Sequence, residues 1–117
     1  MKHYTFAQRF SFAWNGLKIA WKTEESFRMH FCISVAELIL LCSLGAPQLW
    51  KLSLLLAVGA VLSFELANTA LEHAVDLLHP EKHPSIKAAK DCAAGAVLLM
   101  SLISGGITFW FLVVRFF

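Results

Sequence analysis

The first part of the chain carries apolar side chains at helical spacing. Aromatic and leucine residues recur at steps of three or four: Phe6, Phe10, Trp14, Leu17 and Trp21. Polar and basic residues fall on another side: Ser11, Asn15, Lys18 and Lys22. An aromatic face with lysines opposite is typical of a helix lying in the interface of an anionic membrane. The pattern therefore predicts a surface helix at about residues 2–24, with a helix packed on a soluble core as the alternative.

Three later stretches are almost wholly apolar and predict membrane spans at about residues 29–45, 51–76 and 90–115. Gly45-Ala46-Pro47-Gln48 forms a predicted turn between the first two. A polar segment with Pro80 and Pro84 separates the second from the third. The expected fold is therefore an all-α integral membrane protein, with the surface helix and three transmembrane helices in one domain over residues 1–117.

Composition supports a membrane protein. The chain has 117 residues, of which 58% are hydrophobic and 15% charged. Soluble domains carry about a quarter charged residues, and a domain this small cannot bury so large an apolar fraction.

The basic residues are unevenly placed along the chain. Five precede the first span and three lie between the second and third, whereas Lys51 and Arg115 lie on the other side. The positive-inside rule then predicts a multi-pass membrane protein with its N-terminus cytoplasmic and its C-terminus outside.

One stripe of polar residues continues the second span toward its cytoplasmic end. Its members stand at i, i+3, i+4, i+7 and i+11: Glu65, Asn68, Thr69, Glu72 and Asp76. Carboxylates at membrane depth are costly and usually have a partner or a function. The plainer alternative is that these residues hydrogen-bond to neighbouring helices.

Four segments in order resemble the prokaryotic diacylglycerol kinase/undecaprenol kinase family over roughly residues 12–117. They are Ala13-Trp14-Asn15-Gly16-Leu17, Glu24 to Arg28, Glu65 to Glu72, and Ala89-Lys90-Asp91-x-x-Ala94-x-Ala96-Val97. The resemblance implies an ATP- and Mg-dependent lipid kinase that phosphorylates the terminal hydroxyl of a long-chain membrane lipid. It also implies a homotrimer with sites between adjacent protomers and no nucleic-acid partner.

The resemblance also assigns roles to individual residues. Glu65 matches the family's catalytic base, and Asn68 a polar residue of the same site. Glu24 and Glu72 match carboxylates that bind the magnesium of Mg-ATP, and magnesium is commonly held by one or two carboxylates with phosphate oxygens.

Lys90 and Asp91 match a pair near the phosphates and ribose of ATP, although a Lys-Asp pair at a helix start is more often a cap and a solvated face. No Walker A sequence and no glycine-rich protein-kinase loop occurs in the chain, which excludes the familiar kinase folds.

Several positions bear on the choice of lipid. His30 stands where the proteobacterial diacylglycerol kinase branch typically has glutamate, and we assign it to the membrane surface. This departure, the residues Trp14 to Leu17 and the proline-containing loop resemble the undecaprenol kinase branch. They favour undecaprenol as the substrate and undecaprenyl phosphate as the product. The alternative substrate is diacylglycerol, whose product is phosphatidic acid. Arg9 is the nearest match to an early family arginine, and Glu37 has no assigned role.

Two functional hypotheses outside the kinase class remain compatible with the sequence. A non-enzymatic membrane scaffold or sensor would not need all six matched site residues together. A small cation transporter would use Glu37, Glu65 and Glu72, but it leaves the lysine-rich loop and the surface helix without a role.

Overall fold

The computed structural model describes residues 3–117, so the predicted start of the surface helix at residue 2 lies outside the described residues. Four helices follow in order: α1 (Phe6–Thr23), α2 (Glu25–Ser43), α3 (Gln48–Leu78) and α4 (Pro84–Phe116). The last three are long and apolar enough to cross a membrane. The expectation of an all-helical chain with three candidate spans after an N-terminal helix is thereby confirmed.

A capping box sets the start of α1. The hydroxyl of Thr5 accepts a hydrogen bond from the backbone N–H of Gln8, and the Gln8 side chain accepts one from the backbone N–H of Thr5. The apolar face of the helix is left uncovered by the rest of the chain, with Phe6 84% and Trp14 56% exposed. Such a face suits a helix that rests on lipid.

The corner between α1 and α2 is held by one arginine. Glu24 has an extended backbone between the two helices, and the Arg28 guanidinium donates to the Trp21 carbonyl oxygen at 2.6 Å. The rings of Trp21 and Phe31 meet edge to face with centroids 5.3 Å apart. A cation on the unpaired carbonyls at a helix C-terminus is favourable, so Arg28 fixes the direction in which α1 leaves α2.

A Schellman motif ends α2. Gly45 adopts φ +66°, and the N–H groups of Gly45 and Ala46 donate to the carbonyls of Cys42 and Leu41. Glycine is favoured at this left-handed position because it has no Cβ. Ala46 and Leu41 are both buried in a small apolar core with residues of α3 and α4, among them Phe111, so the tight turn also closes this end of the bundle.

The helix α4 begins at Pro84, earlier than the predicted residue 90. His83 caps it, because its ring nitrogen Nδ1 accepts a hydrogen bond from the Ser85 N–H at 3.1 Å. Proline is favourable at the first helical position, where its missing N–H costs nothing. The loop is therefore only residues 79–83, because the helices continue past the apolar segment that marks the bilayer.

The helices bury few side chains against one another. The packing of α3 on α4 is the most extensive, followed by that of α2 on α3. Among residues 3–117 only ten hydrophobic residues are buried, and most large apolar side chains face outward. The glycines Gly95, Gly105 and Gly106 of α4 meet no neighbouring side chain within 4 Å, so the close approach they permit is not used inside one chain.

Candidate active site

Glu65 is the most deeply buried carboxylate of the described chain, at 3% exposure. The Ser26 hydroxyl donates to its Oε2 at 3.2 Å, and the His30 Nε2 lies 3.3 Å from its Oε1. Ser26 and His30 stand one turn apart on α2, while Glu65 lies in the middle of α3. The structure therefore brings two polar side chains of one helix onto the two oxygens of one carboxylate.

These contacts give the carboxylate the partners that burial demands. A buried carboxylate without hydrogen bonds is costly, whereas one that accepts them is stabilised as an anion. Ser26 forms a hydrogen bond to Oε2, and His30 Nε2 lies within ion-pair distance of Oε1, where a proton on Nε2 faces the carboxylate. The sequence assigned His30 to the membrane surface and gave Ser26 no role, so both are additions from the structure. Their spacing of four residues, which places them on one face of α2, was the available signal.

Asn68 lies one turn after Glu65 on the same helix and is half-buried. Its Oδ1 is buried and has no hydrogen-bond partner among residues 3–117. Buried amide oxygens are nearly always paired, so we expect water, a substrate or a second protein chain to donate to this oxygen. The site that the sequence assigned to Glu65 and Asn68 thus contains a held carboxylate and a free acceptor.

An apolar groove of about 370 Å³ runs between α1, α2 and α3. It is lined by Trp14, Leu17, Lys18, Trp21, Lys22, Phe27, Phe31 and Leu62. Phe27 and Phe31 directly follow Ser26 and His30, and Leu62 lies one turn before Glu65. The apolar groove therefore adjoins the buried carboxylate, and its two lysines come from α1.

At the polar end of the bundle, Lys90 and Asp91 each pair with another residue. Lys90 binds Asp76 at 2.5 Å and Lys87 binds Asp91 at 2.6 Å. Glu72 is close enough to Lys90 to interact with it electrostatically. The carboxylate stripe of α3 thus reaches the start of α4 through Lys90.

A cavity of about 580 Å³ opens at this end, between the end of α3, the loop and the first turns of α4. Its charged lining residues are Asp76, Glu81, Lys82, Lys87 and Lys90. Three ammonium groups around one cavity suit an anionic ligand, since each offers up to three donors.

Glu24 and Glu72 have the chemistry that a magnesium site needs. Both are half-buried, and within residues 3–117 neither side chain forms a hydrogen bond or an ion pair with another side chain. No group of three or more potential metal ligands occurs in that part of the chain. Magnesium requires only one or two carboxylates when phosphate oxygens and water complete its shell, so either free carboxylate can serve as such a ligand.

The chain matches one protein-family model and several named proteins. The family model described as prokaryotic diacylglycerol kinase matches residues 11–112. The chain is 42% identical to an undecaprenol kinase of Bacillus subtilis, with 85% of this chain and 80% of the relative covered. A diacylglycerol kinase of Escherichia coli is 30% identical, with 80% and 76% covered.

A diacylglycerol kinase of Synechocystis is 40% identical over 80% of this chain, which spans about half of that relative, 54%. The family model covers far more than half of the chain, and the Bacillus and Escherichia relatives are covered over most of their lengths. The chain therefore belongs to the prokaryotic diacylglycerol kinase family of membrane lipid kinases.

Proposed function

We propose that this lipid kinase transfers the γ-phosphate of ATP to the terminal hydroxyl of undecaprenol and so makes undecaprenyl phosphate. The observation that carries the proposal is the position of Glu65, a buried carboxylate held on both oxygens beside an apolar groove. A lipid whose apolar chain lies in that groove brings its hydroxyl next to a base. Lipid and water-soluble nucleotide meet at the level where the groove approaches the polar end of the bundle.

In the proposed reaction, Glu65 accepts the hydroxyl proton while the lipid oxygen attacks the γ-phosphorus. The bond from that phosphorus to the β,γ-bridging oxygen breaks, and ADP leaves with its electron pair. Phosphoryl transfer depends mainly on positioning and on charge stabilisation, so a fixed base suits it. The Asn68 Oδ1, free within the described chain, accepts a further donor at the same site.

Lys90 and the two free carboxylates serve the nucleotide in this proposal. Glu24 and Glu72 would hold the magnesium ion, which when bound neutralises phosphate charge. An ammonium group has three donors, so Lys90 can keep its bond to Asp76 and still donate to a phosphate. Asp91 is placed near the ribose by family resemblance and is free to turn there, since its pair with Lys87 is highly exposed.

The lining of the groove supports undecaprenol as the acceptor. The residues that α2 and α3 contribute to it are Phe27, Phe31 and Leu62, none of which has a side-chain donor. The ester carbonyls of diacylglycerol would lose hydrogen bonds to water there, whereas an isoprenoid chain has no polar group to desolvate. The Bacillus subtilis relative is also named an undecaprenol kinase.

Diacylglycerol is the second candidate, and two observations favour it. The Synechocystis and Escherichia coli relatives are named diacylglycerol kinases, the first at nearly the same identity as the Bacillus relative. Lys18 and Lys22 of α1 also reach the groove, and their ammonium groups can donate to ester carbonyls.

The proposed enzyme is a homotrimer in the bacterial inner membrane, with its sites between protomers on the cytoplasmic side. Three features support this assembly and orientation. The Asn68 oxygen has no donor among residues 3–117, so a second copy can supply one, and the α4 glycines leave room for the close approach of that copy. Most basic residues also lie at the end of the bundle where α2 begins and α3 ends.

A competition assay tests the proposed function. Purified oligomer in detergent micelles receives radiolabelled ATP, magnesium and equal mole fractions of undecaprenol and diacylglycerol. We expect faster labelling of undecaprenol. Faster labelling of diacylglycerol would keep the kinase mechanism and reverse the substrate assignment, and absence of label in both lipids would contradict the proposal.

A further inference from the structure

We propose that His30 is a positioning residue that, together with Ser26, holds the carboxylate of Glu65 in the orientation in which it accepts the lipid proton. This inference rests on the proposed function, because it takes Glu65 as the base. The inference gives a role to His30, which the sequence pattern placed only at the membrane surface. The role follows from contacts that join α2 to α3 across 35 and 39 positions of the chain.

The two contacts act on different atoms of the carboxylate. Ser26 lies at Oε2 and His30 at Oε1, at 3.2 and 3.3 Å. A hydrogen bond from Ser26 alone would leave the carboxylate free to rotate about the Cγ–Cδ bond, whereas a second polar contact from His30 at Oε1 fixes its plane. Each oxygen still has a lone pair, so the held carboxylate remains able to accept a proton from a substrate.

Water cannot easily replace the imidazole at this place. The Glu65 side chain is only 5% exposed and that of His30 18%, so the carboxylate depends on donors supplied by the protein. Leucine at position 30 would fill similar space without a donor. Glu65 would then turn toward Ser26 alone, and the geometry of proton transfer would be lost rather than the binding of ATP.

The helix that carries both donors is itself anchored. Arg28, between Ser26 and His30, donates to the carbonyl oxygens of Trp21 and Lys22 at the end of α1. Phe31, next to His30, packs edge to face on Trp21 and lines the apolar groove. The same turn of α2 thus orients the base and forms one wall of the groove in which we place the lipid. The distance between the base and the lipid hydroxyl is therefore set by one rigid segment.

Four variants and a control test this role: His30→Leu, His30→Gln, Glu65→Gln, the double variant Glu65→Gln/His30→Leu, and His73→Leu. Glutamine is the conservative replacement, because its amide nitrogen lies as many bonds from Cα as Nε2 of histidine and also donates. His73 is an exposed histidine of α3 and serves as the matched control. Oligomers are isolated by size-exclusion chromatography, and kcat and KM for ATP and undecaprenol are measured in micelles.

We expect His30→Leu to lower kcat about tenfold to a hundredfold while KM for ATP changes less than about twofold. His30→Gln should restore kcat to within about threefold of the parent, because it restores the donor. In the Glu65→Gln background, His30→Leu should lower the residual rate by less than about twofold, since positioning has no value without the base. The control His73→Leu should leave kcat unchanged.

Two outcomes would overturn the role of His30. One is a parental kcat for His30→Leu, and the other is an equal loss from His30→Leu with and without the Glu65 carboxylate, which would indicate a structural role. A parental rate for Glu65→Gln would instead overturn the proposed base and hence the proposed function. If His30→Leu does not assemble, Ser26→Ala replaces it, with an expected loss of about threefold to tenfold that must vanish in the Glu65→Gln background.

Discussion

Glu37 and Glu65 are both glutamates within helices long enough to cross a membrane, and their surroundings differ completely. Both oxygens of Glu65 have a polar partner on α2. The Oε2 of Glu37 is buried, and its one polar neighbour among the described residues is the Thr108 hydroxyl on α4, which lies beside it without good hydrogen-bond geometry. Glu65 therefore has a polar contact on each oxygen, whereas Glu37 has one weak contact.

The difference teaches that a carboxylate at membrane depth is not by itself a functional group. The bilayer makes any such residue costly, so its presence alone only raises the question of a role. The partners decide the answer, because a carboxylate with a polar contact on each oxygen has one orientation and a carboxylate with one weak contact has several. Glu65 meets the first condition and is our candidate base, whereas Glu37 is not part of the proposed site.

The largest expected effect comes from exchanging each glutamate for glutamine. Glu65→Gln should lower kcat about 10²- to 10⁴-fold, because it removes the base and keeps the shape of the side chain. Glu37→Gln, the matched control, should keep kcat within about threefold, since it changes no atom at the site. Initial rates with radiolabelled ATP and undecaprenol measure both. Equal losses from the two variants would break the comparison and assign Glu37 to the catalytic machinery.

A smaller effect on the reaction is expected from a change at Glu72, a third carboxylate of the predicted spans. It lies two turns after Glu65 and near Lys90, without a partner side chain of its own. Glu72→Gln should raise the magnesium concentration for half-maximal rate about tenfold or more, because a ligand is lost. Magnesium titrations at saturating lipid measure this change.

The control for that titration is Glu25→Gln, which alters an exposed carboxylate in the first turn of α2. Its magnesium requirement should match that of the parent chain. An unchanged requirement in Glu72→Gln would remove Glu72 from the metal site and leave its free carboxylate without a function.

The smallest effect is expected at Thr108. Its hydroxyl has no hydrogen-bond partner in the described chain, so Thr108→Val removes an unpaired buried polar group of nearly the same volume. The free energy of unfolding should be unchanged or raised by up to about 1 kcal/mol. Thermal unfolding in matched micelles checks this. A clear destabilisation would indicate that the hydroxyl is paired in the assembled protein, for example by Glu37 or a second copy.

The sequence predicted the fold well, because hydropathy and helical spacing report directly on contact with lipid. The spacing of Phe6 to Trp21 predicted the N-terminal helix, and the long apolar runs predicted the three helices that are long and apolar enough to cross a membrane. Helix ends were predicted less well. Pro84 begins α4 inside the segment expected to be a loop, because a helix with a good cap continues beyond the bilayer and hydropathy does not record this.

The candidate site could be predicted only in part. The spacing of the polar residues along α3 singled out Glu65 as a member of a functional stripe, and its burial agrees with that position. Its contacts with Ser26 and His30 could not be predicted, since they depend on the rotation of α2 against α3. The pairing of Lys90 with Asp76 could not be predicted for the same reason, because the two residues belong to different helices.

The outward orientation of most large apolar side chains has a thermodynamic consequence. Unfolding changes the heat capacity mainly when apolar surface passes from a dry interior into water. Here only ten hydrophobic residues of the described chain are buried by protein, so separating the helices within lipid moves little apolar surface between environments. The stability curve of this fold in a membrane should therefore have little curvature with temperature, and the step in heat capacity on unfolding should be small compared with that of a soluble domain of equal length.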